Sequence, residues 1–173
     1  MTGNKAVLLS GHEFLLLLFK REAAGIVLPE EIAELSANEA ELKTAMSELI
    51  TDKYLMPGQN GLYETSHEIV KIMDVLTEAS TVYLLDEKNH KFDSCFLYRV
   101  NMEAVSLKMD VHHKGWVRLE MVRFEEYIKE LFEYPLVNIK AQRFRTGDNE
   151  PDKVIFITDN DSVDMMLDEM LEV

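Results

Sequence analysis

The sequence predicts an α+β fold: a helical first part, then an antiparallel β-meander with flanking helices. Three observations carry this reading. Apolar residues recur at about 3.6-residue spacing as far as Ser80, and at a spacing of two beyond it. The runs of period two are joined by short connections, and a parallel return needs a crossover of about a dozen residues, so neighbouring strands must be antiparallel. The chain has 173 residues, 47% of them hydrophobic, which is enough for one substantial core and too short for two large domains. The change of period divides it into residues 1–80 and 81–173, expected to pack as one compact unit.

The helical part announces its helix starts. Ser10-x-x-Glu13, Ser36-x-x-Glu39 and Thr65-x-x-Glu68 each have the hydroxyl and carboxylate spacing of a capping box, in which each residue satisfies the other's free backbone N–H. The first helix runs from Ser10 through Phe14, Leu15, Leu17 and Leu18 and ends near Gly25, which tolerates a left-handed C-cap. Pro29 opens a short helix to Leu35, since its missing N–H goes unbonded in a first turn. Leu42, Ala45, Met46, Leu49 and Ile50 mark a third helix, from Ser36 to about Lys53. Tyr54-Leu55-Met56 and Leu62-Tyr63-Glu64 flank Pro57-Gly58-Gln59-Asn60-Gly61, a hairpin turn. Its Leu55, Leu62 and Tyr63 are expected to pack on the helices, with Gly58 and Gly61 permitting the turn. Ile69, Ile72, Met73 and Leu76 make a fourth helix over about 66–79. Helix, short helix, helix, hairpin, helix is the order of a winged-helix-like unit.

Beyond Ser80, Val82–Leu85, Phe92–Val100, Ala104–Asp110 and Trp116–Val122 read as four meander strands, with turns at Asn89-His90, Asn101-Met102 and His113-Lys114-Gly115. Phe124–Phe132 is an amphipathic helix with Phe124, Tyr127, Ile128 and Leu131 on one side and Glu125, Glu126 and Glu130 on the other. Val137–Phe144 and Val154–Thr158 form a further hairpin around the polar loop 147–152. A last helix starts at about Ser162 and carries Val163, Met166, Leu167 and Met170.

Charge narrows the function. Eighteen Lys and Arg against 32 Asp and Glu give a net charge of −14, spread as −7 over residues 1–80, +1 over 81–146 and −8 over 147–173. Such a field repels phosphate backbones and anionic lipid. The third helix presents Glu39, Glu41, Glu48 and Asp52 with only Lys43, and the hairpin tip has no Lys or Arg, so duplex DNA is not expected to be retained at physiological salt. The lone Cys95 cannot form an internal disulfide, and the apolar run Phe14–Phe19 is too short to span a bilayer and precedes its basic residues. A cytoplasmic protein without export or membrane segment is expected.

No constellation supports catalysis. His112 and His113 are adjacent on one strand end and point to opposite faces, so they cannot share a metal. Cys95 lies within an apolar run with no base beside it. The run from Asp159 fails as a calcium loop, because Asp164 stands where glycine is required and Met170 where a bidentate Glu belongs. The seven glycines are scattered singly and form no phosphate loop. No enzyme, cofactor or metal is expected.

The stretch from Val7 to Leu131 resembles the N-terminal half of the EspG-like chaperones of type VII (ESX) secretion systems. The likeness lies in VLLSGHEFLLLL leading into the first helix, the Pro-led LPEEIAEL, the helix and hairpin ELKTAMSELITDKYLMPGQNGLYET, and the meander with a helix behind it. The family continues with a second, quasi-symmetric half, whereas only about 40 residues follow Leu131 here. The resemblance implies a cytosolic, non-enzymatic adaptor that binds the helical tip of a secreted helix-hairpin protein. The alternative is a winged-helix transcription regulator with a C-terminal sensing or dimerisation domain. For a protein partner, the 81–122 sheet is the least repulsive surface. Arg99, Lys108, Lys114 and Arg118 supply its cations, and Tyr98 and Trp116 could be amphipathic anchors, although large aromatics in strands usually pack inward and Trp116 then belongs to the core. A homodimer is left open.

Overall fold

The computed structural model describes residues 5–87, 94–132, 138–158 and 161–171, and the fold is α+β. Strand β1 (Val7–Ser10) passes directly into helix α1 (Gly11–Lys20), followed by α2 (Glu30–Ala33), α3 (Glu39–Thr51), the hairpin β2 (Leu55–Pro57) and β3 (Tyr63–Thr65), and α4 (His67–Glu78). Strands β4 (Thr81–Glu87), β5 (Cys95–Val100), β6 (Glu103–Met109) and β7 (Trp116–Arg123) come next. Helix α5 (Phe124–Phe132), strands β8 (Ile139–Arg145) and β9 (Lys153–Ile157) and helix α6 (Val163–Leu171) complete the order. The expected turn at Asn89-His90, the strand starts at Phe92 and Val137, and Asp159-Asn160 lie outside the described residues.

Seven strands form one antiparallel sheet in the order β1-β7-β6-β5-β4-β8-β9, with β2–β3 a separate ribbon. The four-strand meander is present, and the β8–β9 hairpin extends it by pairing β8 with β4, Leu84 opposite Gln142. The other end corrects the sequence reading. Val7–Ser10 is not simply a leader into the first helix but a strand paired with β7, Val7 opposite Leu119 and Ser10 opposite Trp116. Val7 and Leu9 are buried and Leu8 is half-buried, a period of two that only four residues express.

Helix ends follow local hydrogen bonding. Ser10 caps α1 with the expected box: its Oγ accepts from Glu13 N at 3.2 Å, and Ser10 N donates to Glu13 Oε2 at 3.0 Å. The helix ends before Gly25. Glu22 takes the left-handed position (φ 52°), Glu22 N donates to Phe19 O at 2.9 Å and Ala23 N to Leu18 O at 3.2 Å, a Schellman closure made without glycine. Helix α3 is capped by Asn38 with Glu41 instead of Ser36 with Glu39, and α4 by Ser66, whose Oγ accepts from Ile69 N, instead of Thr65. Asn and Ser are at least as good N-caps as the residues they displace, and packing of the following apolar face chooses the frame.

The hairpin departs from expectation in its packing. Leu55 is buried, but Leu62 is 71% exposed and Tyr63 37% exposed. Asn60 (φ 65°) and Gly61 (φ 72°) turn the chain, while Gly58 is in extended backbone. The tight turn leaves the Leu62 side chain largely in solvent.

Two cores lie on opposite faces of the sheet. On one face Val7, Leu9, Val82, Tyr98, Val105, Leu107, Val117 and Leu119 meet Phe14 and Leu17 of α1, Leu49 of α3 and Ile72, Met73 and Leu76 of α4. On the other face Tyr83, Leu85, Cys95, Leu97, Ala104, Ile139, Ala141, Ile155 and Ile157 meet Phe124 and Ile128 of α5 and Met166, Leu167 and Met170 of α6. The first cover spans the β1 end and the second the β9 end. Among the described residues, each face therefore keeps one uncovered flank.

Gly11 is required where β1 turns into α1. A Cβ there would stand 2.9 Å from the Gly115 carbonyl oxygen and 2.7 Å from Leu35 Cδ2, and Gly11 N donates to that same carbonyl at 2.9 Å. Gly11→Ala is expected to destabilise the protein by about 1–2 kcal/mol, because the backbone contact cannot yield as a side chain does. Urea unfolding measures it, and an unchanged midpoint would show that the strand-to-helix junction tolerates a side chain.

Candidate partner-binding surface

The uncovered flank at the β1 end lies on the face that α5 covers elsewhere, and alternation places Leu8, Lys108, Trp116, Arg118 and Glu120 on it. Lys108 and Arg118 stand directly opposite each other on β6 and β7, and Leu8 of β1 stands on the other side of Arg118. Like charges in that position destabilise a sheet. Among the described residues neither cation is in an ion pair, and Lys108 Nζ lies 5.9 Å from the Tyr127 ring centroid. Arg118 is exposed and Trp116 half-buried at the rim. Its ring centroid is 5.6 Å from that of His113, whose Nδ1 lies 2.7 Å from Asp110 Oδ2. That hydrogen bond holds the Asp110 carboxyl below its ordinary range. Lys114 is exposed in the adjoining turn.

The other two expected contact residues are engaged elsewhere. Tyr98 lies on the opposite face, 0% exposed, donating its hydroxyl to Val27 O at 2.5 Å, and burial pushes its phenol far up. Arg99 shares the face of Lys108 but lies under the C-terminal cover. Its guanidinium lies over the Phe124 ring at 4.7 Å, and its nitrogens donate to Asn101 O at 2.9 Å and Met170 O at 3.1 Å. Tyr83 donates its hydroxyl to the same Met170 carbonyl, so the two side chains together satisfy the end of α6. The surface thus consists of Lys108, Lys114, Trp116 and Arg118, with Leu8, Glu120 and Tyr127 added. Strand pairing of β1 was the signal that could have found Leu8.

A second concave surface lies between α1, α3 and the hairpin. This groove of about 850 Å³ is lined by Leu16, Phe19, Met46, Leu55, Leu62 and Tyr63 among others, and Phe19, like Leu62, is 71% exposed. Lys20 Nζ donates to Tyr63 O at 2.8 Å and ties the hairpin to α1.

Cys95 is buried, and burial pushes its thiol up although the Tyr127 hydroxyl donates to its Sγ at 3.4 Å, so the nucleophilic thiolate is disfavoured. His12 Nε2 lies 3.2 Å from Ser36 O and serves the α1–α3 junction. Among the described residues, no group of three or more His, Cys, Asp or Glu is placed to hold a metal ion, and no helix is long and apolar enough to cross a membrane. Neither a protein-family model nor a curated protein matches the chain.

Proposed function

We propose that this protein is a non-enzymatic adaptor that holds a helical protein partner against the uncovered flank of β6 and β7, with Lys108 and Arg118 facing acidic groups of the partner and Trp116 and Leu8 giving apolar contact. The observation that carries the reading is the opposed Lys108–Arg118 pair. A repulsive pair on open sheet, in a chain of net charge −14, is relieved by a carboxylate-bearing partner. The resemblance to EspG-like chaperones supports a partner of helix-hairpin form, namely a type VII secretion substrate held in the cytoplasm. The regulator alternative rests on element order alone, and the acidic face of α3 offers phosphate little attraction.

The test is titration of any small helix-hairpin protein encoded beside this chain. Lys108→Glu with Arg118→Glu is expected to weaken binding at least about tenfold, while Phe19→Ser with Leu62→Ser in the groove leaves it within about twofold. The opposite pattern would move the binding face to the groove and overturn the assignment. Sub-micromolar, steeply salt-dependent retention of duplex DNA would favour the regulator instead.

A further inference from the structure

The second uncovered flank, at the β9 end, is on the face away from α5 and α6, and it combines an open strand edge with an exposed apolar pair. The sheet order ends at β9, so nothing among the described residues pairs with its outer side. Open edges in natural proteins are guarded by proline, charge, bulges or brevity. The opposite edge, β1, is guarded by brevity: four residues long, it runs without a break into α1, and Ser10 N is bonded to Glu13. Between Val154 and Ile157, β9 has neither charge nor proline. Its outward side chains are Val154, 43% exposed, and Phe156, 70% exposed, whereas Ile155 and Ile157 are buried under α6 and α5.

Two residues placed symmetrically about Ile155 give this edge an internal complement. We propose that two copies of the chain pair antiparallel through β9 about a two-fold axis at Ile155, so that Val154 of each copy stands opposite Phe156 of the other. An antiparallel two-fold is the arrangement in which one strand edge serves as its own partner, and the exposed pair then becomes two aromatic–β-branched cross-strand pairs. The same register sets Lys153 of one copy opposite Ile157 of the other, beside the turn in which Asp161 Oδ2 accepts from Thr158 N at 3.0 Å. Opposite charges thus meet at both ends of the joint. The hairpin is braced for this role: Arg143 and Arg145 both bind Asp152, at 2.8 Å each, and their hydrogen bonds hold that carboxyl down at about 2. One strand pair buries less than the roughly 1,600 Å² of a standard interface, so the dimer is weak and concentration-dependent. Residues 147–173 carry −8 in each copy, so screening tightens it.

Sedimentation velocity on the full chain up to about 500 μM is expected to show dimer growing with concentration and with salt toward about 0.5 M. Phe156→Lys, at a position whose exposure spares the fold, is expected to abolish it with an unchanged circular dichroism spectrum. Register is read separately under oxidising conditions. The double variant Val154→Cys plus Phe156→Cys is expected to cross-link into covalent dimer and each single variant not to, with native Cys95 silent because it is buried. A chain that stays monomeric throughout leaves this edge to a strand of another protein and overturns the proposal. Equal cross-linking by the single variants, or dimers that survive Phe156→Lys, overturns it as well.

Discussion

Phe124→Ala is expected to lower stability by about 3–5 kcal/mol. The ring is 0% exposed, stands 5.8 Å from that of Tyr83 and lies under the Arg99 guanidinium at 4.7 Å. Removing it leaves a cavity at the junction of β7 and α5 and strips the aromatic face from a cation whose other bonds fix the end of α6. The loss therefore exceeds burial alone, and Phe124→Leu, which refills most of the volume, is expected to cost about 1–2 kcal/mol. Thermal melts report the difference as a fall of roughly 10 °C or more against a few degrees, at about 2–4 °C per kcal/mol for a chain of this size. Equal falls for the two variants would mean that volume does not matter at this site.

The second expected result concerns pH. Glu13 is 2% exposed, and burial, with the hydrogen-bonding carboxyl of Glu48 and the charges of Glu48 and Asp52, raises its pKa from 4.5 to about 7 despite the backbone N–H of Ser10. The folded state thus binds a proton here more tightly than the unfolded chain does. Its contribution is fully present below about pH 4.5 and lost as pH rises through 7. Between pH 8 and 5 the protein is expected to gain about 2–3 kcal/mol from this group. Below that, Asp152, held down at about 2 chiefly by its bond to Arg143, begins to lose its own favourable term. Glu13→Gln keeps the acceptor for Ser10 N and supplies a permanent donor toward Glu48. Its unfolding free energy is expected to exceed wild type at pH 8 and to show a flatter rise on acidification. A variant that is less stable than wild type at pH 8, with the same pH slope, would assign the pH dependence to other groups.

The candidate surface was partly legible because charge and residue type are properties of the sequence, while facing is not. Lys108 and Arg118 are ten positions apart, and only the β6–β7 register makes them neighbours. Tyr98 and Arg99 look equivalent to them in composition. Yet alternation sends Tyr98 beneath the N-terminal helices, and the course of α6 draws Arg99 to the Met170 carbonyl. The buried Glu13 was visible as a capping residue, but not as a titrating one. Its shift comes first from burial in the tertiary core and then from Glu48, which belongs to a different helix.

By itself the sequence determined the α+β class, the order of the elements and the period of each, because helix caps, turn residues and apolar spacing act over a few positions and need no distant partner. Tertiary structure decided what a few residues cannot specify. It recruited Val7–Ser10 as an edge strand, added β8 and β9 beyond β4 and shifted two helix caps by one or two residues. Each of these outcomes depends on a surface formed by residues far away in the chain. A four-residue strand or a choice between adjacent caps differs locally by little energy, and the burial of Leu9 against β7 or of Leu49 against α1 is enough to settle it.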